Sequence, residues 1–176
     1  MQRLSEKRGP IGPFFRGEVD KYTWVDIGSS YLPSELIGAF LYAQMDNASS
    51  IIAARRRIFE RYYNLLRPLE DEGALRLPYV ESECAGNGHM FYIITRSLDE
   101  RTRMLDYLKN QGILAVFHYV PLHSSPAGQK YCRVSQRLDV TDDLSVRLLR
   151  LPMYYEMGDE DILRVVEKVT DFFKRT

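Results

Sequence analysis

Residues His89 to His118 read HMFYIITRSLDERTRMLDYLKNQGILAVFH, and the texture of this stretch sets the fold class. His89 to Arg96 alternates two apolar faces in the manner of a buried strand. Ser97-Leu98-Asp99-Glu100 then supplies the Ser-x-x-Glu capping box of a helix running to Asn110, with Gly112 as its C-cap. Ile113 to His118 returns to strand texture. A strand, a capped helix and a second strand within thirty or so residues describe a sheet with helical cover.

Working outward, Arg150 to Met153 reads as a third strand, and Asp159 to Phe173 as a terminal amphipathic helix carrying Ile162, Val165, Val166, Val169 and Phe173. The expected fold is α/β, an α+β two-layer unit with a small antiparallel or mixed sheet and helices on one face. The pattern alone permits several strand orders. Upstream lies a helix from about Ala48 to Leu66, with Ile51, Ile52, Ile58, Phe59, Tyr62, Leu65 and Leu66 on one side, ended by Pro68. Arg55, Arg56, Arg57 and Arg61 read as its solvated face, paired with Glu60. Before it, Ser34 is an N-cap for a helix to about Met45 that bears Leu36, Ile37, Phe40 and Leu41. Met1 to Arg8 reads as a charged helix end stopped by Gly9 and Pro10. The chain then stays irregular to about Tyr31, a loop long enough to suggest function or an interface.

Composition narrows the possibilities. The chain has 176 residues, 45% of them hydrophobic, which suffices for a domain with a real core. Lys plus Arg equals Asp plus Glu at 24 each, so no global field draws nucleic acid or an anionic membrane, and an anionic ligand must be held locally. Cys84 and Cys132 lie far apart and suit free thiols in a reducing compartment. With no apolar stretch near ~20 residues and no signal-like N-terminus, the expectation is a cytoplasmic protein without a membrane partner. His118 and His123, five residues apart, have no Cys, Asp or Glu grouped suitably with them for a metal.

Two segments carry a resemblance. Phe14 to Asp46 reads FFRGEVDKYTWVDIGSSYLPSELIGAFLYAQMD, and His118 to His123 reads HYVPLH. Both resemble the DegT/DnrJ/EryC/StrS sugar-nucleotide aminotransferases, which use pyridoxal phosphate. GSSYL at Gly28 to Leu32, followed by the helix that ends in AQM at Met45, is closest to the branch that acts on dTDP-4-oxo-6-deoxyglucose in enterobacterial common antigen and lipopolysaccharide synthesis. The resemblance runs through nearly the whole chain but covers only the family's C-terminal half. It implies the small C-terminal domain of a fold-type I aminotransferase, preceded by a long loop and two helices. Residues 1–47 would be a remnant of the large cofactor-bearing domain, 48–67 a connecting helix, and 68–176 the small domain.

The same resemblance implies function. The full-length enzyme would be a homodimer that passes an amino group, from glutamate, to the 4-keto carbon of a dTDP-linked 6-deoxyhexose, giving a 4-amino-4,6-dideoxygalactose product. The family keeps its cofactor-carrying lysine upstream of the segment represented here, so no catalytic residue is carried over and the chain alone is expected to be inactive. Lys21 matches a position downstream of that lysine. Ser30 stands where most of the family has an asparagine that reaches the phosphate of the neighbouring subunit's cofactor; its hydroxyl can still donate to a phosphate oxygen, or Ser29 and Ser30 simply turn the chain into the helix. Leu32 stands where the family has an arginine. His118, with Tyr119 and His123, is expected at the sugar-nucleotide pocket or in an ordinary structural role, and His89 and Tyr92 match a strand beside the active site. Phe14, Phe15, Arg16, Lys21, Tyr22 and Trp24 suit stacking on a base or sugar and pairing with a diphosphate, or packing in a dimer. A rival reading is a non-catalytic sugar-nucleotide-binding or assembly module derived from such an enzyme.

Overall fold

A computed structural model describes residues 33–134 and 136–174, in two compact units, Met1–Asn47 and Ala48–Thr176. The expected helix end at Met1 to Arg8 and the irregular run to Tyr31 lie outside the described residues.

In the first unit, helix α1 spans Glu35–Met45. Ser34 is extended, and its Oγ accepts from the Ile37 N–H at 3.3 Å. That is the N-cap expected from sequence, satisfying a donor that the first helical turn leaves orphaned. No residue of α1 is buried.

The second unit opens with helix α2, Ala48–Asp71. It runs through Pro68 rather than stopping near Leu66. Ile58, Tyr62, Leu66 and Leu69 form one buried stripe, so the last turn is held by packing despite the hydrogen bond that proline removes. The helix ends at Gly73, whose φ is +73°. Gly73 N–H donates to Glu70 O at 2.8 Å and Ala74 N–H to Leu69 O at 2.9 Å, the paired bonds of a Schellman closure.

Strand β1 is Phe91–Ile94, helix α3 Leu98–Asn110 and strand β2 Val116–Phe117. A 3-10 turn at Leu122–Ser124 and short helix α4, Pro126–Tyr131, precede helix α5, Asp139–Arg147, strand β3, Leu148–Leu151, and helix α6, Asp159–Lys174. The sheet is antiparallel throughout in the order β1-β3-β2. Of the strand orders open from sequence, this one puts the last strand in the centre. Strand β3 begins and ends two residues earlier than expected, because Pro152 has no N–H for the ladder. Strand β2 keeps two paired residues of the expected six, although Ile113 and Ala115 still enter the core. The helix α5 was not legible: it buries no side chain, and so writes no apolar stripe into the sequence.

Register fixes the two faces of the sheet. Phe91 pairs with Leu151 and Ile93 with Leu149, and all four are buried. They join Ile58, Tyr62 and Leu66 of α2, Met104 and Leu108 of α3, and Ile162, Val165 and Val169 of α6 in one cluster. Each such side chain contributes roughly 1.5–3 kcal/mol on full burial. Tyr62 and Phe91 stack with centroids 5.1 Å apart. The Tyr62 hydroxyl donates to Pro152 O at 3.0 Å, and burial pushes its pKa up, with Tyr154 and Asp161 adding to the effect. Beside β1, Arg76 and Ile94 exchange two backbone bonds of 2.9 Å, which covers part of that sheet edge.

Candidate functional site

The opposite face of the sheet is built differently. Tyr92 pairs with Arg150, and Arg150 with Val116, so these three side chains form a row across the face turned away from the core. Arg150 is half-buried. Its Nη2 donates to Phe117 O at 3.4 Å, and its Cζ lies 5.9 Å from the centre of the Tyr119 ring. The ring of His118 meets the same tyrosine at 5.6 Å, edge on. Arg150 Nε and His118 Nδ1 are both buried without a hydrogen-bond partner among the described residues. Arg101 Nε, His123 Nε2 and Arg147 Nε share that state among the described residues, so it does not by itself single out a site. On the core side, Arg101 of α3 lies 5.4 Å over the Phe117 ring.

The expected residues therefore separate. His118 and Tyr119 come together at the end of β2, with Tyr119 78% exposed. His123 points elsewhere: its Nε2 lies 2.9 Å from Asp142 Oδ1 on α5, without hydrogen-bond alignment. That contact ties it to the outer helix rather than to His118. Ser30, Arg16, Lys21, Tyr22 and Trp24 lie outside the described residues. Arg150 was not picked out from sequence, since its place depends on pairing with β1 and β2; the available hint was a charged residue at an alternate position of the apolar run LLRL.

A second feature lies along α2. A cleft of about 320 Å³ is lined by Arg56, Phe59, Glu60, Cys84, Asn87 and His89, among others. A neighbouring hollow shares Phe59, Glu60 and Val80 with it. The wall of the first cleft is fastened by Arg55, whose Nε donates to Gly88 O at 2.9 Å and whose Nη2 reaches His89 O at 2.5 Å. Arg57 reaches Asp159 at 3.3 Å. Arg55 thus holds a loop and Arg57 the start of α6, rather than the expected pairing with Glu60, while Arg56, Arg57 and Arg61 are exposed, as a solvated face requires.

Cofactor chemistry of the expected kind needs a lysine beside the ligand. The lysines among the described residues do not supply one. Lys168 is paired with Glu167 and Asp171, Lys130 lies over Tyr131, and Lys109 and Lys174 sit in the last turns of α3 and α6. None lines the cleft. The described residues alone do not form a pyridoxal phosphate site.

Residues 13–170 match the profile of the DegT/DnrJ/EryC1/StrS aminotransferase family. The chain is 24% identical over 166 residues to the GDP-perosamine synthase of Escherichia coli O157:H7, an alignment covering 90% of this chain and 43% of that protein. It is 24% identical over 143 residues to the dTDP-4-dehydro-2,3,6-trideoxy-D-glucose 4-aminotransferase of Saccharopolyspora spinosa, covering 81% and 35% respectively. Among solved structures, DesV of S. venezuelae in complex with a ketimine intermediate superposes with a TM-score of 0.74 at 22% identity, over 95% of this chain and 44% of that one. NtdA from Bacillus subtilis with bound cofactor PMP gives a TM-score of 0.71 at 22% identity, over 90% and 36%. The chain spans less than half the length of each of these relatives.

Proposed function

The chain belongs to the DegT/DnrJ/EryC1/StrS aminotransferase family, and from that premise we propose that it is the C-terminal part of a pyridoxal phosphate-dependent sugar-nucleotide aminotransferase. In this reading the complete enzyme moves an amino group from glutamate to the 4-keto carbon of a dTDP-4-keto-6-deoxyhexose, in the cytoplasm, for a surface polysaccharide such as lipopolysaccharide. It works as a homodimer. The observation that carries the reading is the family match over residues 13–170. The activities for which the two relatives are named, on GDP- and dTDP-linked sugars, support a nucleotide sugar as substrate, and the GSSYL segment supports the dTDP branch.

Pyridoxal phosphate, when bound, supplies the electron sink and the temporary home of the amino group. This chain's own residues would bind and orient. The Ser30 hydroxyl donates to the phosphate of the cofactor in the neighbouring subunit. Arg16, Lys21, Tyr22 and Trp24 hold the nucleotide, and His118 and Tyr119 border the sugar. His123, held toward Asp142, supports that segment from behind. The lysine that carries the cofactor belongs to sequence preceding this chain, so the 176-residue chain by itself transfers nothing.

A second reading, a sugar-nucleotide-binding or assembly module without catalysis, is favoured by the fact that Ala48–Thr176 encloses a hydrophobic core of its own. One experiment separates the two. The genomic frame is sequenced upstream of the Met1 codon, and the longest frame and the 176-residue chain are assayed for amino transfer from L-glutamate to dTDP-4-keto-6-deoxyglucose. Transfer by the longer frame alone is the expected result. A stop codon and ribosome-binding site directly upstream, together with calorimetric binding of the nucleotide sugar, would establish the module instead; transfer by the 176 residues alone would refute the placement of the lysine.

A further inference from the structure

Between Ala115 and Leu148 the chain leaves the core. Residues 116–134 and 136–147 include β2, the 3-10 turn, α4 and α5, yet Gly128 is the one buried residue among those described there. None of their side chains belongs to the core cluster or to the apolar residues packed against it. Ala115 and Leu149, on either side of the excursion, are both buried. The bonds that tie it to the sheet lie at its two ends. At the first, Val116 and Phe117 pair with Arg150 and Leu149, and Arg101 lies over the Phe117 ring. At the second, Thr95 Oγ1 donates to Arg147 O at 3.1 Å and Arg147 Nη1 to Thr95 O at 3.2 Å. Between these ends α5 lies beside α3 without burying a side chain. Internally the excursion is well bonded. Ser125 Oγ accepts from the Gly128 N–H at 3.0 Å, Gln129 Nε2 donates to Ser124 O at 3.1 Å, and His123 Nε2 lies 2.9 Å from Asp142 Oδ1. A Cβ on Gly128 would fall 1.6 Å from Leu122 O, so α4 sits directly on the turn before it.

We propose that this excursion is a hinged strap, which opens as one unit about Ala115–Val116 and Arg147–Leu148 while α2, β1, α3, β3 and α6 stay folded. Units with few buried apolar contacts open at a lower free energy than the whole fold. Opening breaks the two rungs between β2 and β3 and the Arg101 contact, and takes no side chain out of the core. The contacts between the turn, α4 and α5 are what make the strap move together. It carries His118, Tyr119 and His123 as a set, which in the reading proposed above uncovers one side of the sugar. That consequence rests on the aminotransferase reading, and the opening itself does not.

Native-state hydrogen exchange of the full 176-residue chain, followed by mass spectrometry across low urea concentrations, tests it. The amides of α4 and α5 should exchange together, on the order of a hundredfold faster than those of α3 and α6. Their shared urea dependence should be shallower than that of the core, since the slope scales with the surface exposed. Gly128→Ala, which drives a methyl group into Leu122 O, should speed exchange in α4 and α5 by about tenfold or more and leave α3 and α6 as they were. Ile162→Val, a small cavity in the core, should do the reverse. If Gly128→Ala does not fold, the urea dependence of the parent chain decides alone. Exchange of α4 and α5 at the core's rate and slope, or with two different slopes, would overturn the proposal. So would Gly128→Ala that speeds α3 and α6 as much as the strap, or that leaves the strap unchanged. Amino transfer is no part of this readout, so failure of the aminotransferase reading would leave the result standing.

Discussion

The carboxyl of Glu100 is almost completely buried, with 3% of its side chain exposed, and survives there because of Arg96. Glu100 Oε2 accepts from the Arg96 backbone N–H at 2.8 Å and Oε1 from Arg96 Nε at 3.0 Å. The capping box expected from Ser97 and Glu100 is therefore half altered. Ser97 Oγ accepts from Glu100 N–H at 3.1 Å as expected, but the glutamate reaches one residue further back than the usual return bond. Burial is the largest influence on this carboxyl and pushes its pKa up. The side-chain and backbone bonds from Arg96, with the charges of Arg96 and Arg103, together outweigh burial and hold it below the ordinary value of 4.5. A carboxyl depressed on folding stabilises fully above its unfolded pKa, and the contribution fades as pH falls through the lower folded value. Glu100→Gln should thus cost about 1.5 kcal/mol at pH 7, and the gap from the parent should narrow below pH 4.5. Urea melts of both proteins at pH 7 and pH 3 measure this. A gap of the same size at both would show that the charge on Glu100 does not matter.

Helix ends and tight approaches show which elements were legible. Ser34 and Ser97 announce their caps within three or four residues of chain, and the structure places both as read; Gly112, expected as the C-cap of α3, instead follows Gln111, which caps the helix, and takes the left-handed turn at φ +72°. The end of α2 was misread because Pro68 is a strong local stop signal, whereas what carries the helix past it is burial of Leu69 and closure at Gly73. Arg150 was missed for a related reason: its partners Tyr92 and Val116 are distant in sequence. Gly73 and Gly88 separate two uses of a left-handed residue. At Gly73, φ +73°, an added Cβ would meet nothing within 4 Å; at Gly88, φ +61°, it would lie 2.7 Å from the carbonyl carbon of Arg55. Gly73→Ala should cost about 1–2 kcal/mol of backbone strain alone. Gly88→Ala should cost more than about 3 kcal/mol, because overpacking adds to that strain and pushes the loop off the two Arg55 bonds. Thermal melts of the two variants decide it, and equal losses would mean that the α2 backbone yields to the methyl group.

The chain as a whole is patterned for more surface than its described residues cover. Helix α1 exposes Leu36 at 84%, Ile37 at 60%, Phe40 at 71%, Leu41 at 57%, Tyr42 at 76% and Met45 at 63%. These positions run round the helix instead of forming one stripe, and a helix apolar on all sides belongs in an interior. A soluble monomer rarely leaves so large an apolar patch in water. The relatives matched extend over more than twice the aligned length, and in the reading proposed above it is the missing part of the enzyme that covers α1. The 176-residue chain on its own should then bury this helix against a second copy. Sedimentation velocity across a hundredfold range of concentration should show mass-action growth beyond the monomer. Phe40→Glu with Leu41→Glu, which puts charge on the helix without touching the core of Ala48–Thr176, should return it to monomer. A parent chain that stays monomeric throughout would mean that α1 is already covered by its own polypeptide, and that outcome would favour the self-sufficient binding module over a part of a larger enzyme.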